Sequence, residues 1–164
     1  MPIHDYLVSE VEAEASKTRA ALERVPADKA AYKPHDKSMP LGKLAAHVAQ
    51  LNSFGVAILH GPGLDFATAN MKPLVFESPA QLVAEMDKGV AAVKAALQAT
   101  SDAAWSEPWK LSMGETVFFS GSRFAAYRAM YLNHLVHHRA QLGVYLRLLG
   151  VPVPSTYGPS ADEQ

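Results

Sequence analysis

Three histidines carry the chemistry that is most specific in its spacing. His134 and His138 lie four apart in one long apolar-striped segment, and His47 stands alone on the apolar face of an earlier one. Helical side chains four apart sit one above the other, so both imidazoles can reach a single ion from one helix. A third imidazole from a neighbouring helix would complete a three-nitrogen cap. Zinc and similar divalent ions accept such a cap and keep a further position for water or substrate, the pattern of a catalytic rather than a structural metal. Taken singly, each of the three is most simply a core histidine with its hydrogen bonds satisfied. Taken together they resist that reading, because every buried imidazole must find partners or bear the cost of desolvation.

The other candidates are weaker. On a helical wheel, Tyr127, Tyr131, Leu135, Leu142 and Leu146 define an apolar arc with Phe124, Tyr145 and Leu149; His138 falls within it and His134 at its edge. His137 lies about 60° beyond His134, beside Met130 and Val144, and is the poorer ligand. His4, His35 and His60 sit at a terminus, in a loop and at a helix end; they read as ordinary histidines, the last two close to the site opening. Arg139 reads as a solvated or interhelical salt-bridge residue, and Gln141 as a side chain placed to steady a ligand histidine. Trp105, Trp109, Phe118 and Phe119 read as core or dimer surface rather than a substrate platform. No carboxylate stands at a spacing that marks a general base, so no catalytic residue is assigned beyond the metal ligands.

Composition narrows the setting of this chemistry. The chain has 164 residues, 49% of them apolar, enough to bury the core of one domain spanning 1–164. Fifteen Lys and Arg against sixteen Asp and Glu give a net charge of -1, which argues against a nucleic-acid partner or an anionic lipid surface. No run approaches the roughly 18 apolar residues of a membrane span, and Met1 to Tyr6 lacks a charged-then-apolar signal. A cytoplasmic protein without a membrane segment is expected. There is no cysteine, so a metal must be held by nitrogen and oxygen, and any thiol must arrive as a small-molecule cosubstrate.

The elements that position the histidines follow from apolar periodicity. Leu7, Val11, Ala15, Thr18 and Leu22 predict a first helix over His4 to Arg24; Val25 to Pro40, with three prolines, is a long connection. A second helix runs from Leu41 to Leu59 with His47 in its stripe, and a loop follows through Pro73. Ser78, Pro79 and Gln81 form a start signal for a third helix reaching Ala99, with Gly89 as an interior weak point. Trp109 to Phe119 predicts a small hairpin turning at Met113 and Gly114, and a last helix spans Ser122 to Leu149 before an extended tail. The economical architecture is all-α, a four-helix bundle with a small hairpin or extended segment before the last helix.

The run from Tyr131 to Arg147, with His134, His137, His138, Arg139 and Gln141 in register, resembles the DinB-like (YfiT-like) family of metal-dependent enzymes. Leu44 to Val48 is similar to the family's first-histidine helix, and Gly150 to Pro154 with Tyr157 to Glu163 is similar to its usual ending, so the likeness spans most of the chain. Ala140 departs from the glycine common there. The resemblance implies a four-helix bundle, often a homodimer, whose divalent metal ligands fall here on His47, His134 and His138. Zinc or nickel is the implied ion, with iron, manganese or cobalt as further choices. The implied activities are metal-dependent hydrolysis or transfer of a low-molecular-weight thiol to a small-molecule substrate. Two other readings remain at this point: a non-catalytic, metal-stabilised bundle acting as a dimeric binding module, and a packed histidine cluster without metal.

Overall fold

Alanine- and leucine-rich stretches with three- and four-residue apolar spacing form the long helices of the computed structural model, which describes residues 2–163. These are α1 (Ile3–Leu22), α2 (Leu41–His60) and α3 (Pro79–Gln98). The last helix is one continuous run in three parts: α4 (Arg123–Ala126), a π-helical turn (Tyr127–Leu132) and α5 (Asn133–Leu148). The starts of α3 and α4 follow side-chain chemistry. Ser78 Oγ accepts from the Gln81 amide at 3.2 Å, and Gln81 Oε1 accepts from the Glu77 amide at 2.9 Å. Ser122 caps α4 in the same way through the Ala125 amide at 3.2 Å.

The helices form the expected bundle, with α3 packed on α2 and α1, and α5 packed on α2 and α1. Its interior divides into two apolar clusters. One, containing Leu22, Leu44, Val48, Met86, Leu135 and Leu142, fills one part of the bundle. The other, containing Val11, Phe54, Ile58, Trp105, Trp109 and Tyr127, joins the bundle to a small sheet.

That sheet corrects the all-α expectation: the described residues are mostly helical but include three strands, not a hairpin alone. β2 (Pro108–Met113) and β3 (Thr116–Ser122) pair antiparallel, with an irregularity between Leu111 and Ser112. Gly114 turns the hairpin at φ +57°, a conformation glycine adopts without strain. β1 (Gly63–Asp65), in the stretch expected to be loop, pairs parallel with β2 through Gly63 opposite Lys110. Three residues are too few to show alternation in a sequence. The close approach itself requires glycine, since a Cβ at position 63 would lie 2.6 Å from the Lys110 carbonyl oxygen.

Two further expectations change. Gly89 is not a weak point in α3: a Cβ there would sit 2.6 Å from Cβ of Asn52, so the glycine lets α3 approach α2 closely. The C-terminal segment is folded back rather than extended. Asp162 bonds Arg147 and the Val153 amide, and Glu163 bonds Arg24 and the Ser155 amide.

Candidate metal centre

His47 lies on α2 within the stretch from Leu44 to Leu51 that belongs to the first apolar cluster, and His134 lies on the last helix between Leu132 and Leu135, where the two clusters meet. The fold brings the three rings together. His47 Nε2 stands 3.3 Å from His134 Nε2, and His138 Nε2 stands 2.8 Å from His134 Nε2. One ligand nitrogen from each of the three lies within 4.8 Å of the others. All three side chains are half-buried.

The outer nitrogens decide what the inner ones can do. His134 Nδ1 faces the Met130 carbonyl at 3.2 Å, and a carbonyl only accepts, so that nitrogen carries the proton. His138 Nδ1 donates to Gln141 Oε1 at 2.8 Å, which is the steadying role the spacing of Gln141 suggests. Both histidines therefore turn unprotonated Nε2 lone pairs toward each other. Burial also disfavours the charged rings. It pushes His47 down to about 4, helped by the neighbouring His138, His134 and Lys43 charges. Burial lowers His134 and His138 too, against the opposing pull of their Nδ1 hydrogen bonds. The two unprotonated Nε2 lone pairs of His134 and His138, 2.8 Å apart, repel each other unless a cation lies between them, and His47 Nε2 stands within reach of the same point. The donor set thus fits a divalent ion held by nitrogen alone.

The packing that fixes this geometry centres on Tyr131, three residues before His134. Its hydroxyl donates to Asn52 Oδ1 at 2.6 Å, and its ring lies where a Cβ on Gly55 would stand, 2.9 Å away. The contact clamps the π-helical turn onto α2 and so sets how near His134 comes to His47. Such turns recur where a helix must present side chains at a functional site.

A family model described as the DinB family matches residues 1–164. The chain belongs to the DinB family. Crystal structures of DinB-like proteins share the fold. One from Bacillus cereus is 24% identical, with 95% of this chain and 98% of that one covered and a TM-score of 0.70. One from Bacillus subtilis is 17% identical, with 93% and 99% covered and a TM-score of 0.72. None of the curated proteins matches by sequence.

The remaining histidines of this DinB-family chain stand apart from the trio. His137 is exposed, its ring 4.8 Å from that of His138 on the outer side of α5. His35 and His60 are exposed and do not line the cavity that adjoins the cluster, while His4 pairs with Asp5 at the first helix. Arg139 is interhelical but not solvated. Only 4% exposed, it meets Glu14 Oε2 at 2.6 Å, and Tyr157 Oη donates to the same carboxylate at 2.7 Å. Burial alone would raise the Glu14 carboxyl, but hydrogen bonds from Lys17, Tyr157 and Arg139 hold it below its ordinary value. The aromatic group divides: Trp105 and Trp109 are core, whereas Phe118 is exposed.

Sequence reasoning missed the cavity beside the trio. It holds about 270 Å³ and is walled by Phe54, Phe66, Met71, Leu111 and Met130, with His47 and His134 at one side. Its residues come from α2, the 66–78 connection, β2, the π-helical turn and the start of α5, so no single periodic stretch announces it.

Proposed function

We propose that this DinB-family protein is a metal-dependent enzyme in which His47, His134 and His138 hold one divalent ion through Nε2 and leave a position for a reactant. The observation that carries this reading is the facing of the Nε2 atoms while the Nδ1 atoms of His134 and His138 are engaged outside the cluster. A bound divalent ion in such a site lowers the pKa of water or of a small thiol enough to supply a nucleophile near neutral pH. Hydrolysis and S-transfer are the corresponding reactions. In the transfer, the thiol sulfur bonds to an electrophilic carbon, the leaving group departs with its electron pair, and the thiol proton goes to solvent. With no cysteine in the chain, that thiol is a cosubstrate.

The residues of the chain do the positioning. Met130 and Gln141 fix two imidazole tautomers, the buried setting keeps protons from competing for the nitrogens, and the adjoining cavity admits the reactant. Zinc and nickel suit an all-imidazole set, and iron, manganese and cobalt are also accommodated by it. The test is the visible spectrum of cobalt-loaded protein titrated with azide and with a small thiol. Saturable spectral change is expected, because an exchangeable position remains. A spectrum indifferent to both ligands means a closed, structural site and contradicts the proposal.

A further inference from the structure

The cavity beside His47 and His134 is defined as much by what it lacks as by its walls. Among the described residues, no lysine, arginine, aspartate or glutamate lines it. The two polar side chains in its wall, Gln50 and Ser53, are already engaged. Gln50 Nε2 donates to the Lys72 carbonyl at 2.8 Å, and its Oε1 accepts from the Leu74 amide at 2.9 Å. Ser53 Oγ donates to the Gln50 carbonyl at 2.7 Å. Beyond the imidazole edge, the polar capacity left is one amide hydrogen of Gln50 and the lone pairs of Ser53 Oγ.

The rest of the wall suits flat, apolar groups. Phe54 and Phe66 present nearly parallel rings, 23° apart with centroids 6.3 Å from each other. Met71 and Met130 add polarizable thioethers, which pack well against aromatic edges. Phe66 and Met71 are 39% and 46% exposed, so they form the mouth, and the Gln50 bonds tie the Met71 side of that mouth to α2. At about 270 Å³ the space lies just below the range of drug-sized sites, room for one or two rings.

We infer that this cavity binds the uncharged, aromatic or otherwise apolar body of the substrate and excludes anionic molecules, with the reacting end directed at the histidines. The inference rests on the proposed enzyme reading for the direction of the substrate, but not for the binding preference. A carboxylate brought into this cavity would lose its water without gaining a cation, with the second amide hydrogen of Gln50 as the one neutral side-chain donor left outside the imidazoles, a penalty that discriminates strongly against it. Selection among substrates therefore works by exclusion of charge rather than by a dedicated polar contact.

The test compares 1-naphthylmethanol with 1-naphthoate by equilibrium dialysis near pH 8, using full-length protein both as purified and after chelation, with metal measured in each sample. The chelated sample decides, because a carboxylate can ligate an ion directly. Binding of the alcohol at least about ten-fold tighter than the carboxylate is expected there. Phe66→Ala and Met71→Ala, both at exposed positions, should each weaken the alcohol, while Val144→Ala on the far side of α5 should not. Equal binding, tighter carboxylate binding, no detectable alcohol binding, or indifference to both mouth substitutions would overturn the inference. Selective alcohol binding by a protein that takes up no metal would preserve it while removing the enzyme reading. Metal uptake without alcohol selectivity would do the reverse.

Discussion

At the scale of single residues, the centre depends on keeping three imidazoles neutral. His47 takes its proton near 6.5 when unfolded but only at about 4 in the fold. Between those values the unfolded chain binds more protons, so stability must fall as pH drops through that window. His134 and His138, also lowered, act in the same direction. Urea unfolding of metal-free protein should give full stability above about pH 6.5 and a progressive loss toward pH 4; stability that is flat or rises on acidification would refute the assignment. The trio itself was legible in the sequence because a four-residue spacing and an apolar face are local facts. The engagement of His134 Nδ1 was not, since its partner is the backbone carbonyl of Met130, which no residue type advertises.

At the scale of elements, the last helix departs most from its sequence pattern. A straight α-helix puts Phe124 on the same arc as Tyr127 and Tyr131, yet Phe124 is 41% exposed while the two tyrosines are fully buried. The π-helical turn between Tyr127 and Leu132 changes the phase, so a wheel drawn at a constant angle misplaces residues before it. α1, α2 and α3 were readable to within two residues because nothing interrupts their period. The Gly55 and Gly89 contacts were invisible for another reason: each depends on a side chain from a different helix. These contacts converge on the Tyr131 to Asn52 hydrogen bond. Tyr131→Phe strands a buried amide oxygen and should cost about 1–3 kcal/mol in chemical denaturation. It should also weaken metal binding, since the same bond sets the distance between His47 and His134. An unchanged stability and affinity would show that the ring packing alone suffices.

At the scale of the whole molecule, the bundle is closed by a buried ionic junction that joins α1, α5 and the C-terminal segment. Arg139 meets Glu14, its guanidinium donates to Tyr157 Oη at 2.7 Å, and Lys17 lies 4.1 Å over the Tyr157 ring. Removing Arg139 takes from Glu14 its buried cation and leaves only the partly exposed Lys17, 2.8 Å from the other carboxylate oxygen. Arg139→Ala should therefore destabilise the fold by about 3–5 kcal/mol, with urea midpoints as the readout; a loss under about 1 kcal/mol would mean that water replaces the guanidinium. No helix among the described residues is long and apolar enough to cross a membrane. The mostly helical frame holds α2 and α5 side by side, and that pairing brings the three imidazoles together. The most direct test of that arrangement is elemental analysis of tag-free protein purified without added metal, beside the His138→Ala variant. About one divalent ion per chain in the wild type, lost in the variant, is the predicted result. No metal in either protein, with the wild type unable to take any up, would contradict the account at its centre.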